Sequence, residues 1–413
     1  MISISSLAAL PAAANSAVDP ALLMEFGLLL VVLGILARVA HRFGFSAVPF
    51  YLLGGLLLGN SPVISTDPQE TFLPIVAELG VILLLLLLGL EYSGRELVDH
   101  ARRQKGPGLV DLLANSLPGA AVALLFGWGM AGAIALGGVT YISSSGIVSQ
   151  VVKDLRWRRN PETGPVVSIL VIEDLVMAPY LPVLTVVLTG TGLIAGLISV
   201  SVALLVVGVV IVVAVRRGEW TPRIFRGAEP VGLLLVVFGL AVAAAGFAAQ
   251  VSFSSAVAAF LVGLLLTGEV AEVARRRLDP LRELLAAVFF AYFGLTTDLS
   301  ALPAVLLPAL GLVIVTIATK FLTGWFASRT VEGGTISRLR AGALLSARGE
   351  FSVIIAGLVA VSGVLPEQFA ALVAAYVLLT ASIGPLLAKY AEPIGWWWDQ
   401  RPSRDQRSRT LAP

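Results

Sequence analysis

Hydrophobic and polar positions divide the chain into long apolar runs separated by short polar or basic connections. Runs that span a bilayer, or nearly do, fall at about 21–40, 46–60, 72–91, 109–127, 130–152, 164–188, 191–215, 230–248, 251–268, 283–298, 302–328, 338–362 and 368–388. They predict an all-α polytopic membrane protein of about thirteen transmembrane helices, the second, ninth and tenth of them short. Composition agrees: 57% hydrophobic residues, 13% charged residues and a mean hydropathy of +0.93 exclude a soluble globular chain and a disordered one.

Charge adds a topology. Of the 28 Lys and Arg residues, 26 lie in alternate connections and the terminal segment, such as Arg95, Arg102, Arg103 and Lys105 after the third run and Lys153, Arg156, Arg158 and Arg159 after the fifth. The positive-inside rule then puts the amino terminus outside and the carboxy terminus in the cytoplasm. Residues 1–20 read as an extracellular lead-in, 21–390 as the membrane domain and 391–413 as a cytoplasmic tail. The two other cations, Lys320 and Arg348, sit inside apolar runs.

Two acids sit there as well. Glu173 and Asp174 lie near the middle of the sixth run, where one ionised side chain costs about 2.5–3.5 kcal/mol on insertion scales. Intramembrane carboxylates at that cost point to function. Neighbours on a helix are turned about 100° apart, so the two acids take different partners; Lys320 and Arg348 are the obvious ones. Pro179 and Pro182 are expected to loosen the helix just beyond the pair.

The chain also repeats. Gly55-Leu-Leu-Leu-Gly59 recurs at Gly263, Gly89-Leu90 at Gly294-Leu295, and Ser143-Ser144-Ser145-Gly146 aligns with Ser346-Ala347-Arg348-Gly349, at offsets of 208, 205 and 203. This predicts repeat one at about 21–188, a linker helix at 191–215 and repeat two at 230–388. An odd number of spans separates equivalents, so the second repeat is inverted, as in secondary transporters that work by alternating access. Small and polar residues in the fifth and twelfth runs favour broken helices whose freed carbonyls face a cavity; close packing through small residues is the alternative, and spacing does not choose between them. The second copy of the acidic pair falls near Val377, where there is no acid, so one ion site per subunit is predicted.

The chain has no cysteine and two histidines, His41 and His100, both in basic flanks. No nucleophile–base set or thiolate ligand is therefore available within the spans, and the protein is not expected to be an enzyme or to carry a cofactor.

These residues, in this order, resemble the KefB/KefC-like monovalent cation:proton antiporters, which share the NapA/KefC-type sodium/hydrogen exchanger fold. The features are Gly55 to Gly59, Gly89-Leu-Glu91, the Ser143-Ser-Ser-Gly-Ile-Val148 break, Glu173-Asp174, Lys320 and Gly349-Glu-Phe351, and the resemblance covers about Leu22 to Leu387. It implies crossed discontinuous helices, a homodimer surrounded by membrane lipid, elevator-like alternation and the plasma membrane of a bacterium. It implies no nucleic-acid partner. Two departures stand out. The family pair is often Asp-Asp, Asn-Asp or Gln-Asp, not Glu-Asp, and the soluble nucleotide-binding domain of KefC-like members does not follow the last span, which suggests a separately encoded cytosolic regulatory subunit. The Trp396-Trp397-Trp398 stretch is expected to mark the cytoplasmic interface.

The function expected is exchange of a monovalent cation for protons, with K⁺ favoured over Na⁺ by the resemblance. Asp174 is expected to hold the cation and the proton in competition, with Ser143, Ser144, Ser145, Thr140 and freed carbonyls as oxygen ligands. Glu173 is expected, by resemblance, to pair with Lys320. Arg348 is expected to meet Glu350, if the helix is broken there, or Glu78 of the third run. A cation channel of the same fold and a sodium-coupled solute symporter are the alternatives.

Overall fold

The apolar runs fold almost wholly as α-helices. The computed structural model describes residues 20–43, 46–59, 72–91, 102, 104–190, 193–217, 229–250, 255–329 and 331–399. The helices are α1 (Pro20–Arg42), α2 (Val48–Gly59), α3 (Leu73–Glu91), α4 (Lys105–Leu125), α5 (Gly129–Tyr141), α6 (Ser145–Asp154), α7 (Thr163–Thr189), α8 (Leu193–Arg217), α9 (Pro230–Gln250), α10 (Ser255–Leu265), α11 (Gly268–Leu295), α12 (Leu302–Ala327), α13 (Gly334–Leu345), α14 (Glu350–Ser362) and α15 (Gln368–Asp399).

Among the described residues, nine helical segments are long and apolar enough to cross a membrane, and three shorter apolar helices accompany them. The expected fifth and twelfth runs are each one such segment, broken in the middle into α5–α6 and α13–α14. The expected tenth run needs correction. It is the second half of α11, whose first half carries Arg275, Arg276 and Arg277 on helix where the charge pattern suggested a loop. Ion pairs one turn apart, Arg276 with Glu272 and Arg282 with Asp279, support that polar half. At the far end α15 runs on to Asp399, through the start of the expected tail.

Two bundles result. In the first, α3 packs on α10 and α11, α2 on α11, and α9 on α10; in the second, α4 packs on α5 and α12, and α13 and α14 pack on α15, with α7 against α5, α13 and α14. Helix α8 touches both α7 and α10, one helix of each bundle.

The repeated glycines explain how closely these helices approach. Gly55 lies against the Ala291 backbone and Gly294 against the backbone of Leu52 to Leu56, while Gly89 and Gly263 meet each other backbone to backbone. The repeat equates Gly55 with Gly263 and Gly89 with Gly294, so the α2–α11 contact and the α10–α3 contact are equivalents of each other. Gly119 on Leu136 and Gly324 on Ala341 and Gly342 form a second such pair, between α4 and α5 and between α12 and α13. Any Cβ at these positions collides with a carbonyl or a backbone nitrogen. Gly263→Ala should therefore destabilise the folded protein by about 1–3 kcal/mol through overpacking. Gly232→Ala on α9, where no atom approaches, should leave the unfolding midpoint in detergent unchanged or higher.

Candidate functional site

The site is built where the two broken helices cross. Helix α5 ends at Tyr141, residues 142–144 run extended, and α6 starts at Ser145. Helix α13 ends at Leu345, and α14 starts at Glu350 after Ser346-Ala347-Arg348-Gly349. The Ser144 N–H donates to the Ala347 carbonyl at 2.9 Å, and the Ser352 hydroxyl to that of Val139 at 2.9 Å. Gly349 is required here because a Cβ would strike the Ser144 side chain.

Four helix ends meet at this crossing, two carboxy-terminal and negative, two amino-terminal and positive. Arg348, fully buried, serves the negative ends. Its guanidinium donates to the Thr140 carbonyl at 2.9 and 3.2 Å, to the Leu345 carbonyl at 2.9 Å and to the Ser346 carbonyl at 3.3 Å. Glu350 serves the positive ends: it belongs to the first turn of α14 and accepts from the Ser144 hydroxyl at 2.7 Å, the Ser145 hydroxyl at 3.0 Å and the Gly146 N–H at 3.4 Å, at the start of α6. This corrects the expectation that Arg348 meets Glu350 or Glu78. A planar fork of donors suits a fan of carbonyls, and the two charges serve opposite helix ends. Glu78 lies exposed on α3, in the other bundle.

Beside the crossing lies a buried charge cluster. Lys320 on α12 bridges two carboxylates, Glu173 on α7 at 2.6 Å and Asp111 on α4 at 2.8 Å, and all three side chains are 0–1% exposed. Glu173 also accepts from the Ser143 N–H at 2.5 Å and the Ser143 hydroxyl at 3.0 Å, which ties the acid to the break in α5–α6. Asp111 also accepts from Thr323 at 2.8 Å and Asn115 at 3.0 Å, and Thr319 donates to Asn115 at 2.8 Å. The pairing of Glu173 with Lys320 is thus present, but Lys320 has a second counter-ion that sequence reasoning missed. A signal for it existed: Asp111 and Asn115, one turn apart in an otherwise apolar run, match Thr316 and Lys320 at the repeat offset of 205.

Asp174 faces elsewhere. It is 3% exposed and lines a small cavity with Leu88 of α3, Val257 and Phe260 of α10 and Phe351 of α14, at the seam between the bundles. The turn between adjacent helical residues has put one acid into the second bundle and the other at its border. The Thr140 hydroxyl bonds back to Leu136 within α5 at 3.0 Å, so of the four expected hydroxyl ligands Ser143 serves Glu173, Ser144 and Ser145 serve Glu350, and Thr140 serves its own helix. Helix α7 continues through Pro179 and Pro182 to Thr189 without a break. Near the repeat equivalent of the acidic pair, the buried Val377 sits next to Tyr376, whose hydroxyl donates to Thr316 at 2.8 Å.

Crossed broken helices, neutralised at their ends and set beside buried acids, define the inverted-repeat class of secondary transporters. Over residues 28–389 the chain matches the transmembrane sodium/hydrogen exchanger family, to which it therefore belongs. It is 30% identical to the K(+)/H(+) antiporter subunit KhtU of Bacillus subtilis, over 90% of this chain and 94% of that protein. It is 31% identical to the ammonium/H(+) antiporter subunit AmhT of Alkalihalophilus pseudofirmus, over 90% and 94%. Its fold matches that of the sodium proton antiporter MjNhaP1 from Methanocaldococcus jannaschii with a TM-score of 0.65 at 18% identity, covering 91% of this chain and 98% of that one. The protein is accordingly a multi-span membrane antiporter.

Proposed function

We propose that the protein exchanges K⁺, in preference to Na⁺, for protons by alternating access. The observation that carries this reading is the division of labour in the acidic pair: Glu173 is closed by Lys320 and Ser143, while Asp174 sits at the seam of two bundles. Displacement of one bundle along the other would open that seam to each side of the membrane in turn. A buried carboxylate needs a counter-charge, and a proton and a metal ion compete for the same oxygens. Competition at one carboxylate couples the two fluxes in opposite directions. The choice of K⁺ is supported by relatives named for K⁺ and for ammonium, ions of nearly the same size. Both are named as subunits, which supports a separate cytosolic partner for this chain too. A homodimer in a bacterial plasma membrane, amino terminus outside, completes the proposal.

The test is reconstitution into liposomes with an internal pH dye, followed by an imposed pH gradient and addition of K⁺ or Na⁺. Dissipation by K⁺ at lower concentration than by Na⁺ is expected. Equal responses would overturn the K⁺ preference, and no response to either ion would overturn antiport.

A further inference from the structure

Helices α4 and α12 bury Asp111 and Lys320 on one side and expose an apolar face on the other. Leu109, Leu113 and Leu117 of α4 and Ile314, Leu322 and Phe326 of α12 are exposed at helical spacing along these two spans. Between the helices opens a groove of about 610 Å³, walled by Leu117 and Pro118 on one side and Pro308, Gly311 and Val315 on the other. Both faces end in cations. Asp111 meets Thr323 and Asn115 meets Thr319, a register that sets Lys105, at the start of α4, level with Arg329, just past the end of α12. From the start of α13 the Arg338 guanidinium reaches over the ring of Trp325 at 4.6 Å, and that ring is 42% exposed one turn beyond Leu322. Arg340, on the same helix, is paired with Glu162 and Glu392. Lys105, Arg329 and Arg338 have no acidic partner among the described residues, and the buried Nε of Arg338 has no acceptor there.

We propose that this basic rim binds the head of an anionic phospholipid whose chain lies along α12 and ends in the groove. Unpaired cations at the edge of a spanning helix call for an anion, and phosphate accepts from a guanidinium in matched geometry. The face below takes hydrocarbon. Length agrees with one leaflet: Val315, at the near end of the groove, is ten residues from Trp325, or about 15 Å of helix, half of the roughly 30 Å hydrocarbon core. An acidic protein would match the cations but leave the aromatic ring and the apolar face beneath it unused. A lipid held here ties α13 to α12 from the outside, behind the helix that carries Lys320. The site is independent of which ion the protein exchanges.

The test titrates detergent-purified protein with phosphatidylglycerol, with phosphatidylcholine of the same chain length, and with glycerol 3-phosphate, and reads the melting temperature. Phosphatidylglycerol should raise it at lower concentration than phosphatidylcholine, and glycerol 3-phosphate should not raise it. In Arg338→Gln the half-maximal phosphatidylglycerol concentration should rise on the order of tenfold, as loss of one charge-assisted hydrogen bond brings, while the response to phosphatidylcholine and the melting temperature without lipid hold. Equal responses of the wild type to the two lipids, or an unchanged titration in the variant, overturn the proposal. A shift from glycerol 3-phosphate as large as that from the lipid shows a site for a free anion and overturns it too. A melting temperature that rises with protein concentration and not with lipid puts a second copy of the chain on this face, and the lipid site falls. If Arg338→Gln already melts lower without lipid, the exposed Arg329 decides in its place: a weakened phosphatidylglycerol response in Arg329→Gln supports the rim, and an unchanged one overturns it.

Discussion

Asp174→Asn should reduce cation-driven proton exchange to the level of protein-free liposomes. Asparagine keeps the shape of the side chain and two hydrogen-bonding edges but carries neither the charge that holds a cation nor the site that takes its proton. Losing about 3 kcal/mol of ion binding lowers affinity on the order of 100-fold, and losing the competing proton removes the coupling altogether. The variant should stay folded, because removing a charge from a 3%-exposed position at a helix seam relieves desolvation rather than adding to it. Glu173→Gln is the informative contrast. Lys320 keeps Asp111 as a counter-ion at 2.8 Å, and glutamine still accepts from Ser143, so exchange should persist. Both variants are purified by size exclusion and assayed for K⁺-driven dequenching. Asp174→Asn exchanging at the wild-type rate would displace this carboxylate from the proposed mechanism. Loss of exchange in Glu173→Gln alone would move the site to the other acid.

The contrast between these acids was half legible in the sequence. Apolar length located the spans, and mid-span serines and glycines marked where both helices could break, but the same small residues also suit close packing, so only the fold decided for the breaks. Adjacency on a helix also separated Glu173 from Asp174. What the sequence did not show was the destination of Arg348, because backbone carbonyls at a helix end leave no mark in residue type; only the crossing of α5 and α13 brings Thr140 and Leu345 to one guanidinium. Asp111 escaped for a related reason. It lies near the edge of its run, where an acid is ordinarily solvated, and its burial depends on α12 packing across it. The polar half of α11 was read as a loop because arginines in succession mimic a connection, although its charges pair at helical spacing. The repeated glycines were read correctly as a duplication. Their contacts give those positions a common physical role: each equivalent pair lets two backbones approach where a Cβ would collide.

Lys320→Met should be among the most destabilising single changes in the second bundle, and its defect should be repaired by removing charge rather than by restoring it. Without the ammonium, Asp111 and Glu173 remain 1% exposed and share the space that Lys320 occupied. Breaking a buried ion pair from one side costs about 3–5 kcal/mol, and here two acids are stranded by a single substitution. Single neutralisation of either acid is milder, because the ammonium retains the other. Asp111→Asn keeps its shape and its contacts with Thr323 and Asn115, and Glu173→Gln keeps Ser143. Combining both with Lys320→Met leaves no uncompensated charge in the cluster, and neutral groups of matched shape often replace a buried ion pair at little cost. Denaturation of detergent-purified protein should therefore rank wild type and the triple variant together, each acid variant below them and Lys320→Met lowest. If the triple variant is no more stable than Lys320→Met, the lysine acts through the packing of its stem and its ring contact with Tyr141, and the two carboxylates are not the reason for its burial. If Lys320→Met alone is as stable as wild type, the acids take up protons without cost once the lysine is gone, and the cluster sets the charge of the transport site without contributing to the fold.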